Sequence, residues 1–581
     1  MSDRPYLGIH YGHDATATLL QGDRVVAVIA EERLSRQKHQ PGLPHRAIHE
    51  VLRLGGVRPR DVFALAFSGR ATMVQVITAP GGPLLPYQPG LRARLRKRVA
   101  VAVKGSQDWA AMLRDDGFAP ERVRFVEHHL AHAASAFYAS RYERALCITV
   151  DGYGDGVSAT VGVGEGENLS RLYSCPQRSS VGSFYQAATE ALGFAPIEGE
   201  NRTMNLACFG DPDRHYAALK DWVWCDADGL LQTREPWAYR QLVVYGATYD
   251  GIAQAAQLAR LASDETGRRD LAAGTQRVFE EVMLAFIAKA RERAGAQDLP
   301  ICAAGGVMLN VKLNKLVHQR LGVRDFFVFP DAGDGGTALG AALCARRLIE
   351  GRAHLGRPPS PYLGNAFEPA EIEEELRSHD GRLAWSRLDR PDDFLDRVVA
   401  LLEQGLVVGW FQGRMEMGPR ALGARSVIAD PRNPTVKERI NKHLKKRDWF
   451  VPVAPSGLDE RLGDFLVDYR SEPYMTKAFD VRPEQRGRVP AITHVDGTAR
   501  PQGVVREANP LYYDLLKRVE ARWDVLLVLN TSFNRHGLPI VGSPADAIQH
   551  LVDNNVEALA IGPFLVVTRD GPTGLGRQGS G

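Results

Sequence analysis

Leu146-Cys147-Ile148-Thr149-Val150-Asp151-Gly152-Tyr153-Gly154-Asp155-Gly156 decides how this chain is read. The apolar and β-branched run to Val150 predicts a buried strand. Asp151 stands at its end, opening a turn whose glycines let backbone pass close to a ligand. A second strand, reaching Val161, follows the turn. The same grammar opens the chain. Tyr6 to Gly12 reads as a strand, Gly12-His13-Asp14 as a turn and Ala15 to Leu20 as a second strand, with Gly22-Asp23 a hairpin turn into Val25 to Ala30. A β-turn-β unit met twice, each time with an acidic turn, predicts two halves that close on one cleft.

Such a duplication is what an actin-like or sugar-kinase-like ATPase core (the ASKHA class) requires, so the predicted fold class is α/β with a duplicated βαβ unit. Between the two units, His128-His129-Leu130-Ala131-His132 sets His128 and His132 at i and i+4, on one face of a helix. With Asp151 they form a two-imidazole, one-carboxylate set that suits Zn, Fe or Mn and leaves positions open for a substrate oxygen. A histidine-bearing helix capped by hydrogen bonds is the alternative. The turn residues Gly152, Gly154 and Asp155 extend this reading to a metal and phosphate site. Helical periodicity then runs from about Asp270 to Ala294. After it, a buried strand breaks at Gly305-Gly306, and the stretch continues to Asn310 at the start of a helix. That break is read as backbone approaching a nucleotide, or as a tight strand-helix packing turn. The strand Phe326 to Phe329 ends at Pro330-Asp331-Ala332-Gly333-Asp334, which makes Asp334 the candidate fourth metal ligand and Asp331 the alternative. The small-residue helix from Ala338 to Ala345 is expected to lie flat against the sheet.

At 581 residues the chain exceeds one hydrophobic core, and two or three domains are expected. A composition of 44% hydrophobic and 24% charged residues excludes a disordered protein. The net charge of +3 makes no case for nucleic acid or an anionic membrane as partner. Six cysteines without a CxxC pair exclude a zinc ribbon and a disulfide framework. Met1-Ser2-Asp3-Arg4-Pro5 carries no charged-then-apolar signal and no apolar run reaches membrane-spanning length, so a cytoplasmic location is expected. Arg357-Pro358-Pro359-Ser360-Pro361 cannot continue a helix and reads as the start of a linker over 357–368. It separates residues 1–356 from a second α/β unit over 369–570, and the Gly-rich tail 571–581 is expected to be disordered.

In the second unit, the strand Leu406 to Trp410 leads into a glycine-rich turn that carries Arg414, Arg420 and Arg425. Guanidinium forks match phosphate oxygens bidentately. The basic run Lys442-His443-Leu444-Lys445-Lys446-Arg447 enters the apolar stretch Phe450-Val451-Pro452-Val453, which predicts that part of it is drawn into a pocket. Arg500 comes from the turn after Thr493-His494-Val495-Asp496-Gly497-Thr498. Asn530-Thr531-Ser532-Phe533-Asn534 follows the strand Val525 to Leu529, outside a sheet's carboxyl end. The expectation is an anion and nucleotide pocket built from Arg, Lys, Ser and Asn, without a Ser-His-Asp order.

Taken in order, these motifs resemble those of the O-carbamoyltransferase family of nodulation and antibiotic-tailoring enzymes. The resemblance runs through Gly12-His13-Asp14-Ala15, Glu31-Glu32-Arg33, His128 to His132, Asp151 to Gly156, Gly305 to Asn310, Gly333 to Ala342, Met417 to Ser426, Ala454-Pro455-Ser456, His494 to Thr498, Asn530 to Asn534 and Pro539-Ile540-Val541. It implies a first domain similar to the metal-bearing, actin-like domain of the tRNA threonylcarbamoyl transferases, and a second similar to YrdC-type domains. It further implies that carbamoyl phosphate and ATP, with Mg²⁺, yield carbamoyl adenylate and pyrophosphate in the second domain. Transfer of the carbamoyl group to an acceptor hydroxyl would follow in the first, where Fe²⁺ binds. Arg420, Lys445, Arg447, Arg500, Ser532 and Asn534 would then hold the phosphates, and His128, His132, Asp151 and Asp334 the metal. His13, Asp14 and Lys38 would be acceptor or acid/base residues, or else hairpin hydrogen-bonding groups.

Two departures from the family pattern stand out. Gly199-Glu200-Asn201-Arg202-Thr203-Met204-Asn205-Leu206-Ala207 carries Arg202 where the family has lysine, and asparagines where it has glycines. Phe450-Val451-Pro452-Val453 lacks an expected phosphate arginine. The expected partner is a hydroxylated natural product, with a homodimer implied by the resemblance. A tRNA-modifying enzyme of threonylcarbamoyl type lacks the basic arm that nucleic acid would need. A degenerate, non-catalytic binder of nucleotide or carbamoyl phosphate sits badly with the intact histidines and aspartates. The insert from Val74 to Asp108, with its basic Leu91 to Arg98, and the stretch holding Trp222, Trp224 and Trp237 are the candidate acceptor-pocket segments.

Overall fold

The computed structural model describes residues 3–69, 117–244, 247–379 and 381–569. The Val74 to Asp108 insert and the 571–581 tail lie outside them. β1 (Pro5–His10), β2 (Thr16–Gln21), β3 (Arg24–Ala30), β4 (Ala64–Ser68) and β5 (Val123–Val126) form one five-stranded sheet in the order β3-β2-β1-β4-β5. β1 to β3 are antiparallel neighbours, and β4 and β5 add in parallel. A second sheet repeats this plan with β6 (Arg144–Gly154), β7 (Val157–Glu165), β8 (Asn168–Pro176), β9 (Ile301–Ala304) and β10 (Phe326–Val328), in the order β10-β9-β6-β7-β8 and with matching directions. The duplication expected from the acidic turns is therefore a duplication of whole sheets, consistent with an actin-like architecture.

Two helices lie between these sheets, His128–Phe137 and Thr337–Glu350. Small residues make the layering tight. A Cβ on Gly8 would stand 1.9 Å from the Ala338 carbonyl oxygen, and one on Gly340 would stand 1.8 Å from that of Ala131. No side chain fits where the second helix crosses β1 or its partner helix. The 29-residue helix Glu265–Arg293, capped by Asp264, packs against the helices Val181–Ala191, Gly199–Leu206 and Val311–Leu321.

The second half is built on one eight-stranded mixed sheet. Its strands are β11 (Leu383–Arg387), β12 (Val408–Phe411), β13 (Arg425–Ala429), β14 (Ala454–Leu458), β15 (Gln502–Val504), β16 (Leu527–Ser532), β17 (Ala558–Ile561) and β18 (Phe564–Thr568), in the order β11-β18-β17-β12-β13-β16-β14-β15. Asn530 and Ser532 belong to β16 itself, where the sequence had placed them beyond the strand, because β13 continues to pair with it as far as Ser532.

The proline-rich segment is a seated strap. Leu363 and Asn365 are buried, the Leu363 carbonyl accepts from Val28 N at 3.1 Å, and Arg414 donates to the carbonyls of Val26, Leu363 and Gly364. Trp222 and Trp237 are buried and stack at 6.1 Å between ring centroids, while Trp224 projects outward. None of the three lines the cavity described next, and the indoles of Trp222 and Trp237 serve the core instead. Among the described residues, no helix is long and apolar enough to cross a membrane.

Candidate active site

A cavity of about 500 Å³ opens between the two halves, and the chemistry of its two ends differs. At the first end, the strand terminus of β6 presents Asp151 to the His128–Phe137 helix. His128 Nε2 and His132 Nε2 lie 3.1 and 3.2 Å from Asp151 Oδ2, and 3.5 and 3.6 Å from Asp334 Oδ1. The two ring nitrogens are themselves only 3.1 Å apart. Two imidazole nitrogens and two carboxylate oxygens converging on one point is an N₂O₂ donor set that fits a divalent transition metal. His132 Nδ1 is buried without a hydrogen-bond partner among the described residues, and burial of this kind demands compensation elsewhere on the ring. Asp334 joins the group and Asp331 does not.

The turn positions the metal group more than it lines the cavity. Gly152 lines it, but a Cβ on Gly154 would stand 2.1 Å from the His128 ring, so that glycine exists to admit the imidazole. Asp155, in left-handed backbone at φ 53°, accepts from His128 N at 2.9 Å and fixes the start of the helix. Gly305 is tucked under β6, its φ of 99° and the Val150 carbonyl leaving no room for a side chain. Gly306 and Asn310 do reach the cavity. Gly306 N donates to Asp151 Oδ1 at 3.2 Å, and Asn310 also caps the helix Val311–Leu321.

His13, Asp14 and Lys38 all face this end. His13 Nδ1 lies 3.1 Å from Asp14 Oδ2 and its Nε2 3.4 Å from Asp334 Oδ2, so both ring nitrogens are committed to carboxylates. Burial would lower this histidine, but Asp334 and Asp14 outweigh it and raise it to about 10. Lys38 is ion-paired to Glu198, and His536 from the second half stands 3.3 Å from the same carboxylate. Arg202 lies over the Phe194 ring and pairs with Asp448.

The second end is cationic. Lys445 closes a π-helical turn, Ile440–Lys445, a distortion common at functional sites. Its Nζ donates to the Ser532 carbonyl, to Ser532 Oγ at 2.8 Å and to Asn534 Oδ1 at 2.8 Å. Burial and then the Arg447 charge hold it well below the ordinary lysine value. Burial lowers Arg420 and Arg447 to about 10, and Arg500 is driven down by burial and by those two neighbours. Arg500 Nε is buried with no acceptor among the described residues. Buried Lys445 and the half-buried Arg420, Arg447 and Arg500 share this end with His494, Asn530, Ser532 and Asn534, none of them a carboxylate. That is an arrangement a multiply charged anion would complete. Val451 lines the wall where the family pattern has an arginine.

Two histidines at this end escaped the sequence reading. His10, at the end of β1, lies 2.8 Å from Ser68 Oγ and 3.5 Å from Asp334 Oδ2; a lone polar residue closing an apolar strand was the available signal. His39 pairs with Asp14 at 2.6 Å. Burial raises both Glu200 and Asp331 to about 7. Asp331, the alternative metal ligand in the sequence reading, faces the cavity with no side-chain hydrogen bond or ion pair among the described residues.

The family model described as carbamoyltransferase N-terminus matches residues 6–343, and that described as carbamoyltransferase C-terminus matches 399–568. The nodulation protein NolNO of Sinorhizobium fredii is 34% identical over 564 residues, covering 96% of this chain and 79% of that protein. The 3'-hydroxymethylcephem-O-carbamoyltransferase of Amycolatopsis lactamdurans is 32% identical over 288 residues, covering 50% of this chain and 52% of that one. Among solved structures, component A of the Acidaminococcus fermentans (R)-2-hydroxyglutaryl-CoA dehydratase is 17% identical with a TM-score of 0.31, covering 59% of this chain and 98% of that one. The two family matches together span most of the sequence, and the protein belongs to the carbamoyltransferase family as a transferase enzyme.

Proposed function

We propose that the protein is a cytoplasmic, ATP-dependent O-carbamoyltransferase that makes carbamoyl adenylate at the cationic end of the cavity and spends it at the metal-ligating end, on a hydroxyl of a small molecule. The observation that carries this reading is one shared cavity, with Arg420, Lys445, Arg447 and Arg500 at one end, none of them in an ion pair among the described residues, and an N₂O₂ donor set at the other. In the second half, which we read as YrdC-like, Arg420, Lys445, Arg447 and Arg500 hold carbamoyl phosphate and the phosphates of Mg²⁺-ATP. Ser532 and Asn534 fix the ammonium of Lys445. Water cleaves carbamoyl phosphate to carbamate and inorganic phosphate; as a carbamate oxygen then bonds to the α-phosphorus of ATP and the α–β bridge breaks, those cations take up the charge of the departing pyrophosphate. Carbamate itself acylates poorly, and AMP is a better leaving group than hydroxide.

At the other end, His128, His132, Asp151 and Asp334 would hold Fe²⁺, which would supply Lewis-acid polarisation. His13, held protonated between Asp14 and Asp334, sets a positive charge beside the carbamoyl or phosphate oxygens. Asp331, unpaired and open to the cavity, accepts the proton of the acceptor hydroxyl as its oxygen attacks the carbamoyl carbon. The C–O bond to AMP then breaks, and AMP leaves with the electron pair. The near-neutral chain and the names of the relatives support a hydroxylated natural product as acceptor rather than tRNA.

The test is release of AMP and pyrophosphate by purified protein given Mg²⁺-ATP, with and without carbamoyl phosphate and Fe²⁺. Hydroxylated compounds, 3'-hydroxymethylcephem among them, are then screened as acceptors by mass. Release that depends on carbamoyl phosphate is expected. Its absence from folded, metal-loaded protein would overturn the adenylation half and turn attention to Val451.

A further inference from the structure

Cys208, Lys312 and Asp496 meet at the seam between the halves, outside the cavity. Cys208 follows the helix Gly199–Leu206, Lys312 lies in the first turn of Val311–Leu321, and Asp496 belongs to the second-half turn between His494 and Thr498. Lys312 Nζ stands 2.6 Å from Cys208 Sγ and 2.7 Å from Asp496 Oδ2, and the thiol approaches the same carboxylate oxygen at 3.6 Å. Cys208 is partly exposed, whereas Cys147, Cys175 and Cys302 are buried. A nitrogen–sulfur approach this close is tighter than a hydrogen bond to sulfur and matches the span across one bridging oxygen atom.

We propose that Cys208 and Lys312 are a peroxide-sensitive modification site that closes to a reversible cysteine–oxygen–lysine cross-link. One hydrogen peroxide gives an oxygen to sulfur; its O–O bond breaks, water leaves, and the thiol becomes a sulfenic acid. A second peroxide converts the deprotonated Lys312 amine to a hydroxylamine, again with loss of water. The hydroxylamine oxygen then bonds to sulfur, and the sulfenic hydroxyl departs as the third water. Sulfur and nitrogen together lose four electrons to the two peroxides, the proton of the ammonium goes to solvent, and S–O–NH remains.

The consequence reaches the cationic end of the cavity. Burial would raise Asp496, yet Lys312 holds it well below the usual carboxylate range. Asp496 Oδ1 accepts from Thr498 N at 3.1 Å and Thr498 Oγ1 at 2.7 Å, shaping the turn that runs from His494 to Arg500. Cross-linking removes the ammonium charge and leaves the Asp496 carboxylate without its counter-ion, close to His494. Oxidation therefore weakens anion binding at this end.

The test is intact-mass analysis and peptide mapping of the full-length protein after hydrogen peroxide. The expected product gains about 14 Da (one oxygen in, two hydrogens out), joins the Cys208 and Lys312 peptides, and reverts with dithiothreitol. Cys208→Ser and Lys312→Arg should both abolish it, the second while keeping a cation opposite Asp496. Inorganic pyrophosphate, used as the probe by calorimetry, should bind about tenfold more weakly after oxidation and recover on reduction. Stepwise oxygen gains on Cys208 without joined peptides, or an unchanged product in Lys312→Arg, would overturn the cross-link whatever the enzyme's activity. Pyrophosphate binding that ignores the cross-link would overturn its regulatory consequence. That arm rests on the cationic end being an anion site, whereas the mass measurement does not.

Discussion

Glu200 shows how a single side chain in this cavity wall sets a pH dependence. Its Oε1 accepts from Ile197 N at 3.2 Å, its Oε2 is buried with no hydrogen-bond partner among the described residues, and burial raises it to about 7. The sign follows from which state holds the proton. Above the ordinary glutamate value of 4.5 the unfolded chain has lost it while the folded protein keeps it, so stability falls as pH rises from that value through 7 and the full cost is present beyond. Glu200→Gln should therefore leave unfolding free energy at pH 4 nearly unchanged and raise it at pH 8 by up to about 3 kcal/mol. Urea titrations at the two pH values decide it, and equal effects at both would assign the change to packing. The sequence exposed Glu200 only as part of a helix motif. Its burial belongs to the folded cavity wall, which it shares with His39, Phe279 and Asn310 from elsewhere in the chain.

At the scale of elements, the turn from β6 to β7 was legible as a glycine-rich acidic loop, but its glycines turn out to divide their labour. Gly154 admits the His128 ring, and Gly152 borders the cavity. Gly154→Ala would force the imidazole away from Asp151 and Asp334. Ligand misplacement of this kind typically costs 10–100-fold in metal affinity. We expect about that loss in a metal titration, with thermal unfolding of the metal-free protein shifted by only a few degrees. Unchanged affinity would mean that the turn yields rather than the histidine. The His-x-x-x-His spacing needed no tertiary information, because helix geometry alone puts both rings on one face. Asp334 did, since it reaches the same point only after β10 and the Thr337–Glu350 helix have been laid against β9 and β1.

Across the whole molecule, the halves are clasped by the short helix Glu32–Ser35 and its flanks. Arg36 donates to the carbonyls of Ile540 at 2.6 Å and Pro539 at 3.1 Å and pairs with Asp546 at 3.1 Å. Arg33 donates to the Gly418 carbonyl at 2.9 Å, and Gly542 lies so close to the Arg33 carbonyl oxygen that a Cβ would stand 2.1 Å from it. Pro539 and Ile540 also wall the cavity, so the clasp sets how its ends face each other. Arg36→Met removes these contacts at a cost of roughly 2–3 kcal/mol. We expect pyrophosphate release to persist while carbamoyl transfer to the acceptor falls about tenfold, the change of barrier being a fraction of that cost. Equal losses in both steps would show that the clasp serves adenylation itself.

The sequence by itself determined the strand-turn-strand units, the histidine spacing, the strand-end aspartates and the family, because each is written in residues close together in the chain or in an ordered set of motifs. Periodicity and turn chemistry are local, and local physics suffices to read them. Only the tertiary structure decided that Asp334 rather than Asp331 stands with His128, His132 and Asp151, that Asp155 holds the start of the histidine helix and Gly305 packs on Val150, that Trp222 and Trp237 are core, and that Lys445 is drawn from a basic run into a buried site beside three arginines. Each of those outcomes depends on which distant groups desolvate or pair with a side chain. Burial and charge pairing are properties of the folded assembly, and a residue's neighbours in sequence carry no record of them.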